Sequence, residues 1–169
     1  AKITTGMLSY ARNSGDRQEP IDLAELVTDL LLLVEKDLQK HLVGLDTRLE
    51  EGVFAVINTS QVQQVLLNLL RNAIDANREH YPEHASQVQL RIVAQDGQVC
   101  IDVIDQGAGV SAEAREQLFV PFYTSKADGL GLGLSMSQGI VEGFGGSLDA
   151  LPAESGGLCL RCLLPAVSN

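Results

Sequence analysis

Apolar side chains at Val62, Val65, Leu66, Leu69, Ala73 and Ile74 recur at intervals of three and four around the stretch QVLLNLLRNAIDA. That is the spacing of a helix with one stripe against a core. Away from the stripe, Gln64, Asn68 and Asn72 repeat at every fourth residue, so three carboxamides share one side of the helix. Asparagine is an indifferent helix former and costs free energy where it is buried unpartnered. A row of carboxamides at the edge of a core therefore points to something polar lying against it. The plain alternative is a solvated face with two stray asparagines.

The same periodicity at Leu23, Leu26, Val27, Leu30, Leu31 and Val34 predicts an earlier helix, opened by Ile21 and Asp22 with Asp22 as N-cap. Ahead of it, residues 3–13 read as a short helix and residues 13–20, NSGDRQEP, as a polar linker rich in breakers. Residues 42–49 and 53–57 read as strands separated by a turn at Glu51-Gly52. Thr59 or Ser60 is expected to cap the asparagine helix, which extends to about Glu79, and residues 81–86 form a loop. Strict alternation over 87–93 places Val88, Leu90 and Ile92 on one side and Gln87, Gln89 and Arg91 on the other. Asp96-Gly97 is a strong two-residue hairpin signal, so 98–104 should return antiparallel. A short helix over 112–118, a longer one over 132–143, and strands over 147–151 and 157–164 complete the chain. Without regular strand–helix–strand alternation, this order predicts an α+β, two-layer sandwich with helices on one face of a mixed, mostly antiparallel sheet.

Composition narrows the functional classes. At 169 residues and 45% hydrophobic, the chain fits one domain able to bury roughly 70% of its unfolded surface. A net charge of −10 argues against nucleic acid, whose phosphates demand basic patches. Any anionic ligand must then be held by local groups, a metal ion or backbone dipoles. No apolar run reaches the ~20 residues of a membrane span; the longest, residues 30–34, reads as helix core. No signal-peptide pattern is apparent, and a start at Ala1 suggests a piece of something longer. Three cysteines suggest a reducing compartment, and Cys159 and Cys162, three apart in a strand, point to opposite faces and read as structural.

Val99, Ile101, Val103 and Asp105 share one strand face, which sets a carboxylate at the rim of the core. An ionised acid there needs a donor, and an exocyclic amine on a ligand would serve. An Asp that simply opens the turn Asp105-Gln106-Gly107 is the alternative. Gly107 and Gly109 allow close approach to a flat ligand, or simply positive φ. Gly129, Gly131 and Gly133, alternating with Leu130 and Leu132, lead straight into a helix whose free amides suit phosphate; an ordinary loop reads the same way. Their spacing excludes both the dinucleotide GxGxxG pattern and the P-loop. Phe119, Pro121 and Phe122 form a hydrophobic pin, after which Thr124, Ser125 and Lys126 offer hydroxyls and a cation suited to a terminal phosphate, or a solvated lysine.

Taken in order, Asn68-x3-Asn72-Ala73, Asp105-x-Gly107-x-Gly109, Phe119-x-Pro121-Phe122 and Gly129-x-Gly131-x-Gly133 resemble the N, G1, F and G2 boxes of sensor histidine kinases. The likeness covers roughly residues 20–165. It implies the Bergerat ATP-binding fold shared with Hsp90, type II topoisomerases and MutL, and the cofactors ATP and Mg²⁺. Asn72 would ligate the Mg²⁺, assisted by Asn68, and Asp105 would accept from the adenine amino group. Gly107 and Gly109 would pass close to the base, Gly129 to Gly133 would carry the phosphates, and Lys126 would neutralise the γ-phosphate. ATPase relatives place a catalytic glutamate where Asn68 stands; a carboxamide cannot take a proton from water, which favours transfer to a histidine.

Only Ala127 and Asp128 separate Lys126 from Gly129, a short lid similar to that of oxygen-, nitrogen- and dicarboxylate-responsive kinases. His41, His80 and His84 lack the His-Glu-x-x-x-Pro-like context of a phosphoacceptor. The resemblance therefore implies that residues 1–19 end a dimerisation helix and its linker, and that 20–169 form the catalytic domain. The implied partners are a histidine-bearing dimerisation domain of the same, homodimeric protein and a response regulator. The implied location is the cytoplasm, with membrane anchoring of the parent left open.

Overall fold

In a computed structural model that describes residues 17–121 and 133–167, strand alternation decides which side of the sheet is covered. In β4 (Ser86–Gln95), Val88, Leu90 and Ile92 are fully buried, while Gln87, Gln89 and Arg91 face the other way and are at least partly exposed. β4 joins β5 (Gln98–Ile104) through Asp96 and Gly97, both at positive φ, 54° and 77°. These are the dihedrals that a two-residue hairpin turn requires. The antiparallel order continues through β7 (Leu158–Pro165) to β6 (Ser147–Pro152), and β2 (Val43–Leu49) lies parallel to β4 at the other edge.

Three helices cover the buried face. α1 (Leu23–Lys40) packs on β2, α2 (Thr59–His80) on β4 and β5, and α4 (Gly133–Gly143) on β6. A short α3 (Ala112–Gln117) contributes no buried residue. Asp22 caps α1 as expected, its carboxylate accepting from the amides of Ala24 and Glu25. All six predicted stripe residues of α2 are buried, joined by Leu70 and Asn77. Leu30 and Val34 are buried, but Leu32 and Leu33, inside the run read as core, are 73% and 61% exposed. Five consecutive residues span well over one turn, so some of them must face solvent.

The structure differs from expectation in three further places. Ile21 does not open a helix: the end of the assigned linker, from Glu19, forms β1 (Glu19–Asp22), a four-residue strand too short and polar to show alternation. It pairs antiparallel with β3 (Phe54–Ile57). Hence β2 and β3, though separated by a turn, belong to different sheets. A parallel β2–β4 pair needs a crossover, and β3 with α2 supplies it. The cap of α2 is Asn58 instead of Thr59 or Ser60, its side-chain oxygen accepting from the Gln61 amide at 3.0 Å. Ser86, expected in a loop, is the first residue of β4. The predicted helix at 3–13 lies outside the described residues.

Candidate functional site

Asn68, Asn72 and Ala76 stand four apart along one face of α2, so the row spans about 12 Å of helix. At its N-terminal end Gly133, the first residue of α4, presses on Asn68. A Cβ at Gly133 would lie 2.7 Å from Asn68 Oδ1 and 2.9 Å from Nδ2, closer than any side chain can approach. Asn68 Nδ2 donates to Ser137 Oγ (3.2 Å) one turn into α4. In the middle, Asn72 Nδ2 donates to the Asn68 carbonyl (2.9 Å), which fixes the orientation of its carboxamide. Gly107 crosses the C-terminal end, where a Cβ would sit 2.9 Å from the Cβ of Ala76 and 3.0 Å from its carbonyl oxygen. Asn68, Asn72 and Ala76 are half-buried between two backbone crossings, whereas Gln64, the first carboxamide of the expected row, is exposed.

Asp105 follows β5 and is 5% exposed. The turn reading of this residue holds on one of its oxygens. Oδ1 accepts from the Gly107 amide (2.9 Å), as in a turn, and from the Leu158 amide (3.0 Å). Among the described residues nothing donates to Oδ2. Burial pushes its carboxyl above the ordinary range, partly offset by the Leu158 and Gly107 amides. The segment is clamped from behind: Ser155 Oγ donates to the Asp105 carbonyl (3.3 Å), and Gly157 lies directly against Asp105. Gly109, at φ +82°, abuts the Gly156 carbonyl. Sequence reasoning missed this β6–β7 connection; its only signal is the run Ser155-Gly156-Gly157 ahead of a strand.

Of the remaining expected site residues, Thr124, Lys126, Gly129, Leu130, Gly131 and Leu132 lie outside the described residues, as does Phe122. Phe119 packs half-buried against the core. A groove of 410 Å³ opens beside the Asn68 end, lined by Gln64, Arg71, Gly133 and Met136 among others. No cluster of three His, Cys, Asp or Glu able to hold a metal ion exists among the described residues. The three cysteines are free and buried, and burial pushes Cys159 and Cys162 up to about 12, which leaves them as thiols at neutral pH.

A second buried carboxylate faces the open side of the sheet. Asp102, 2% exposed, accepts from Arg161 Nε (2.9 Å) and Nη2 (3.1 Å) and from Arg91 Nη2 (3.0 Å). Arg91, Asp102 and Arg161 stand abreast on β4, β5 and β7. Burial raises its carboxyl, but the Arg161 and Arg91 hydrogen bonds and charges outweigh it and hold it below the usual carboxylate range. Both arginines line a 650 Å³ groove on that side, which Asn68, Asn72 and Asp105 do not touch.

A polar helix row, a rim carboxylate and glycine crossings are thus set on a sheet covered on one face by helices, an α+β sandwich. Residues 57–168, more than half of the chain, match the family model described as histidine kinase-, DNA gyrase B-, and HSP90-like ATPase, and the chain belongs to that family. It is 34% identical over 155 residues to the C4-dicarboxylate transport sensor protein DctB of Rhizobium meliloti, covering 91% of this chain and 24% of that protein. It is 33% identical over 165 residues to the sensor histidine kinase ZraS of Klebsiella oxytoca, covering 97% and 35%. The chain thus spans about a quarter to a third of the length of these curated relatives. The solved catalytic domain of histidine kinase ThkA superposes with a TM-score of 0.79 at 26% identity, covering 88% of this chain and 95% of that one. The α+β sandwich with a mostly antiparallel sheet is the fold these histidine kinase catalytic domains share.

Proposed function

We propose that this chain is the catalytic ATP-binding part, residues 20–169, of a sensor histidine kinase. It transfers the γ-phosphoryl group of ATP to a histidine on a dimerisation domain of the same protein, for relay to a response regulator. The observation that carries the reading is the row Asn68–Asn72–Ala76, met by the α4 N-terminus at one end and by the Asp105–Gly107 crossing at the other. A ligand along this row has at one end a buried carboxylate with an oxygen that accepts from no described residue, and helix N-terminal amides at the other. Those are complements of an adenine amino group and of phosphate respectively.

In this reading Asp105 Oδ2 accepts from the adenine amine, and Gly107 and Gly109 bring backbone close to the ring. Gly129, Leu130, Gly131, Leu132 and Gly133 hold the phosphates, and Thr124 and Lys126 meet the terminal one. Asn72 suits Mg²⁺: a carboxamide oxygen is a hard donor, its Nδ2 bond to the Asn68 carbonyl orients the group, and Asn68 stands one turn away to assist. Bound Mg²⁺ would neutralise charge between the phosphates. Asn68 offers no proton acceptor for water, and the 410 Å³ groove beside it gives an incoming side chain access. Among the described residues no helix is long and apolar enough to cross a membrane, and we place this part of the protein in the cytoplasm.

Isotope-labelled ATP·Mg²⁺, mixed with the chain and a separately supplied histidine-bearing helical domain, should yield acid-labile phosphohistidine on that domain. Bound nucleotide without label, or steady phosphate release into water, contradicts the reading.

A further inference from the structure

Asn77 is absent from the row that contacts the proposed nucleotide, yet it is 0% exposed and uses three hydrogen bonds. Five residues after Asn72, it sits about 140° around the helix from the row. Its Nδ2 donates to Ser86 Oγ (3.1 Å) and to the Gln87 carbonyl (2.9 Å) at the start of β4. Its Oδ1 accepts from the Gln106 amide at 2.7 Å. Gln106 lies outside any strand or helix, immediately after Asp105 and before Gly107. The connection is closed by a fourth bond, in which the Gln87 amide donates to Gln106 Oε1 (2.9 Å).

Asp105 is therefore held at two levels. Gly107 and Leu158 occupy one carboxylate oxygen, and in the proposed reading the other meets the adenine amine. Those bonds orient the carboxylate only as well as the backbone beneath it is placed. The Asp105–Gly107 backbone is pinned to α2 at one polar point, Asn77, beside the apolar contact of Gly107 on Ala76. A side chain with both hydrogens and its oxygen engaged on two elements can shift only by breaking a buried bond, which is costly.

We propose that Asn77 is a positioning residue that sets the purine selectivity of the site, through the Gln106 amide, without touching nucleotide. This rests on the reading of Asp105 as the adenine acceptor. Shortening the side chain in Asn77→Ser leaves the Gln106 amide and the Gln87 carbonyl without their partner. The loop then relaxes away from α2 and carries Oδ2 with it, while the Asn68–Asn72–Gly133 end is undisturbed.

The 169-residue chain and its Asn77→Ser variant are titrated with adenosine, ATP·Mg²⁺, GTP·Mg²⁺ and tripolyphosphate·Mg²⁺. Adenosine and ATP should weaken by a common factor of about five to thirty, the effect of losing one buried hydrogen bond between Asp105 and the base. The ATP-over-GTP preference should shrink accordingly, and tripolyphosphate should bind unchanged. Asn77→Asp, which keeps an acceptor for the Gln106 amide, should retain most of that preference. Equal weakening of all four ligands, the outcome of a merely structural role, overturns the proposal, as does an unchanged preference. An unmutated chain that binds ATP and GTP alike refutes the role of Asp105 instead. If Asn77→Ser does not fold, hydrogen exchange in the unmutated chain decides. The Gln106 amide must be protected although it lies in no ladder, and fast exchange there overturns the assignment.

Discussion

Two carboxylates three residues apart along the same stretch of chain, Asp102 and Asp105, are buried to 2% and 5% exposure and are treated in opposite ways. Asp102 faces the open side of the sheet, and two guanidiniums satisfy both of its oxygens. Asp105 faces the helices and receives two neutral amides, both on one oxygen. The first is held below the ordinary carboxylate range and the second above it. Burial alone therefore does not say which acid can still meet a ligand; what separates them is whether the acceptor capacity is spent on described residues. Asp102 finishes its chemistry on folding, and Asp105 keeps one oxygen in reserve.

The sharpest way to break this contrast is to neutralise each acid in turn. Asp102→Asn removes the charge between two arginines, each more than a third exposed and able to rehydrate. We expect a loss of about 3 kcal/mol in urea unfolding, at the low end for a buried pair, and ATP affinity unchanged within about twofold. Asp105→Asn should do the reverse. Its remaining oxygen still accepts from Gly107 and Leu158, so stability should change by less than in Asp102→Asn. A donor now replaces Oδ2, so ATP affinity measured by calorimetry should fall about tenfold. Loss of stability in both variants, or of affinity in both, would erase the distinction.

Acidification sharpens it further by a smaller effect of opposite sign. Asp102 is lowered from 3.8 on folding. Its stabilisation is fully present above that value and is lost as pH falls through the folded pKa, so unfolding curves of the unmutated and Asp102→Asn chains should converge there. Asp105 is raised from 3.8. The folded state binds its proton more tightly, so its contribution to stability declines as pH rises from 3.8 through the folded pKa, then stays flat. An adenine amine needs the ionised form, so ATP should weaken on acidification through the folded pKa of Asp105, and Asp105→Asn should lack that slope.

The helices and strands around these acids were legible because their signals are periodic and local. The α2 stripe, the β4 alternation and the Asp96-Gly97 turn each declare themselves within a few residues. The rim position of Asp105 followed from alternation in β5 alone. What the sequence concealed depends on distant partners. β1 is four residues of EPID whose only reason to be a strand is β3. Gly157 looks like an ordinary turn glycine until it is found against Asp105, 52 positions earlier in the chain. Asn77 sits in an apolar helix with nothing local to mark it, because its partners come from β4 and from the loop after β5. Asp102 likewise gains its arginines from the two flanking strands.

The claim on which these contrasts depend is that the spare oxygen of Asp105 reads a purine amine. Calorimetric titration of the unmutated chain with ATP·Mg²⁺ and GTP·Mg²⁺ tests it directly, because guanine presents a carbonyl where adenine presents the amine. The account predicts a preference for ATP of at least about tenfold, the effect of setting two buried acceptors against each other. Equal affinity for the two nucleotides, or no association of either, contradicts it.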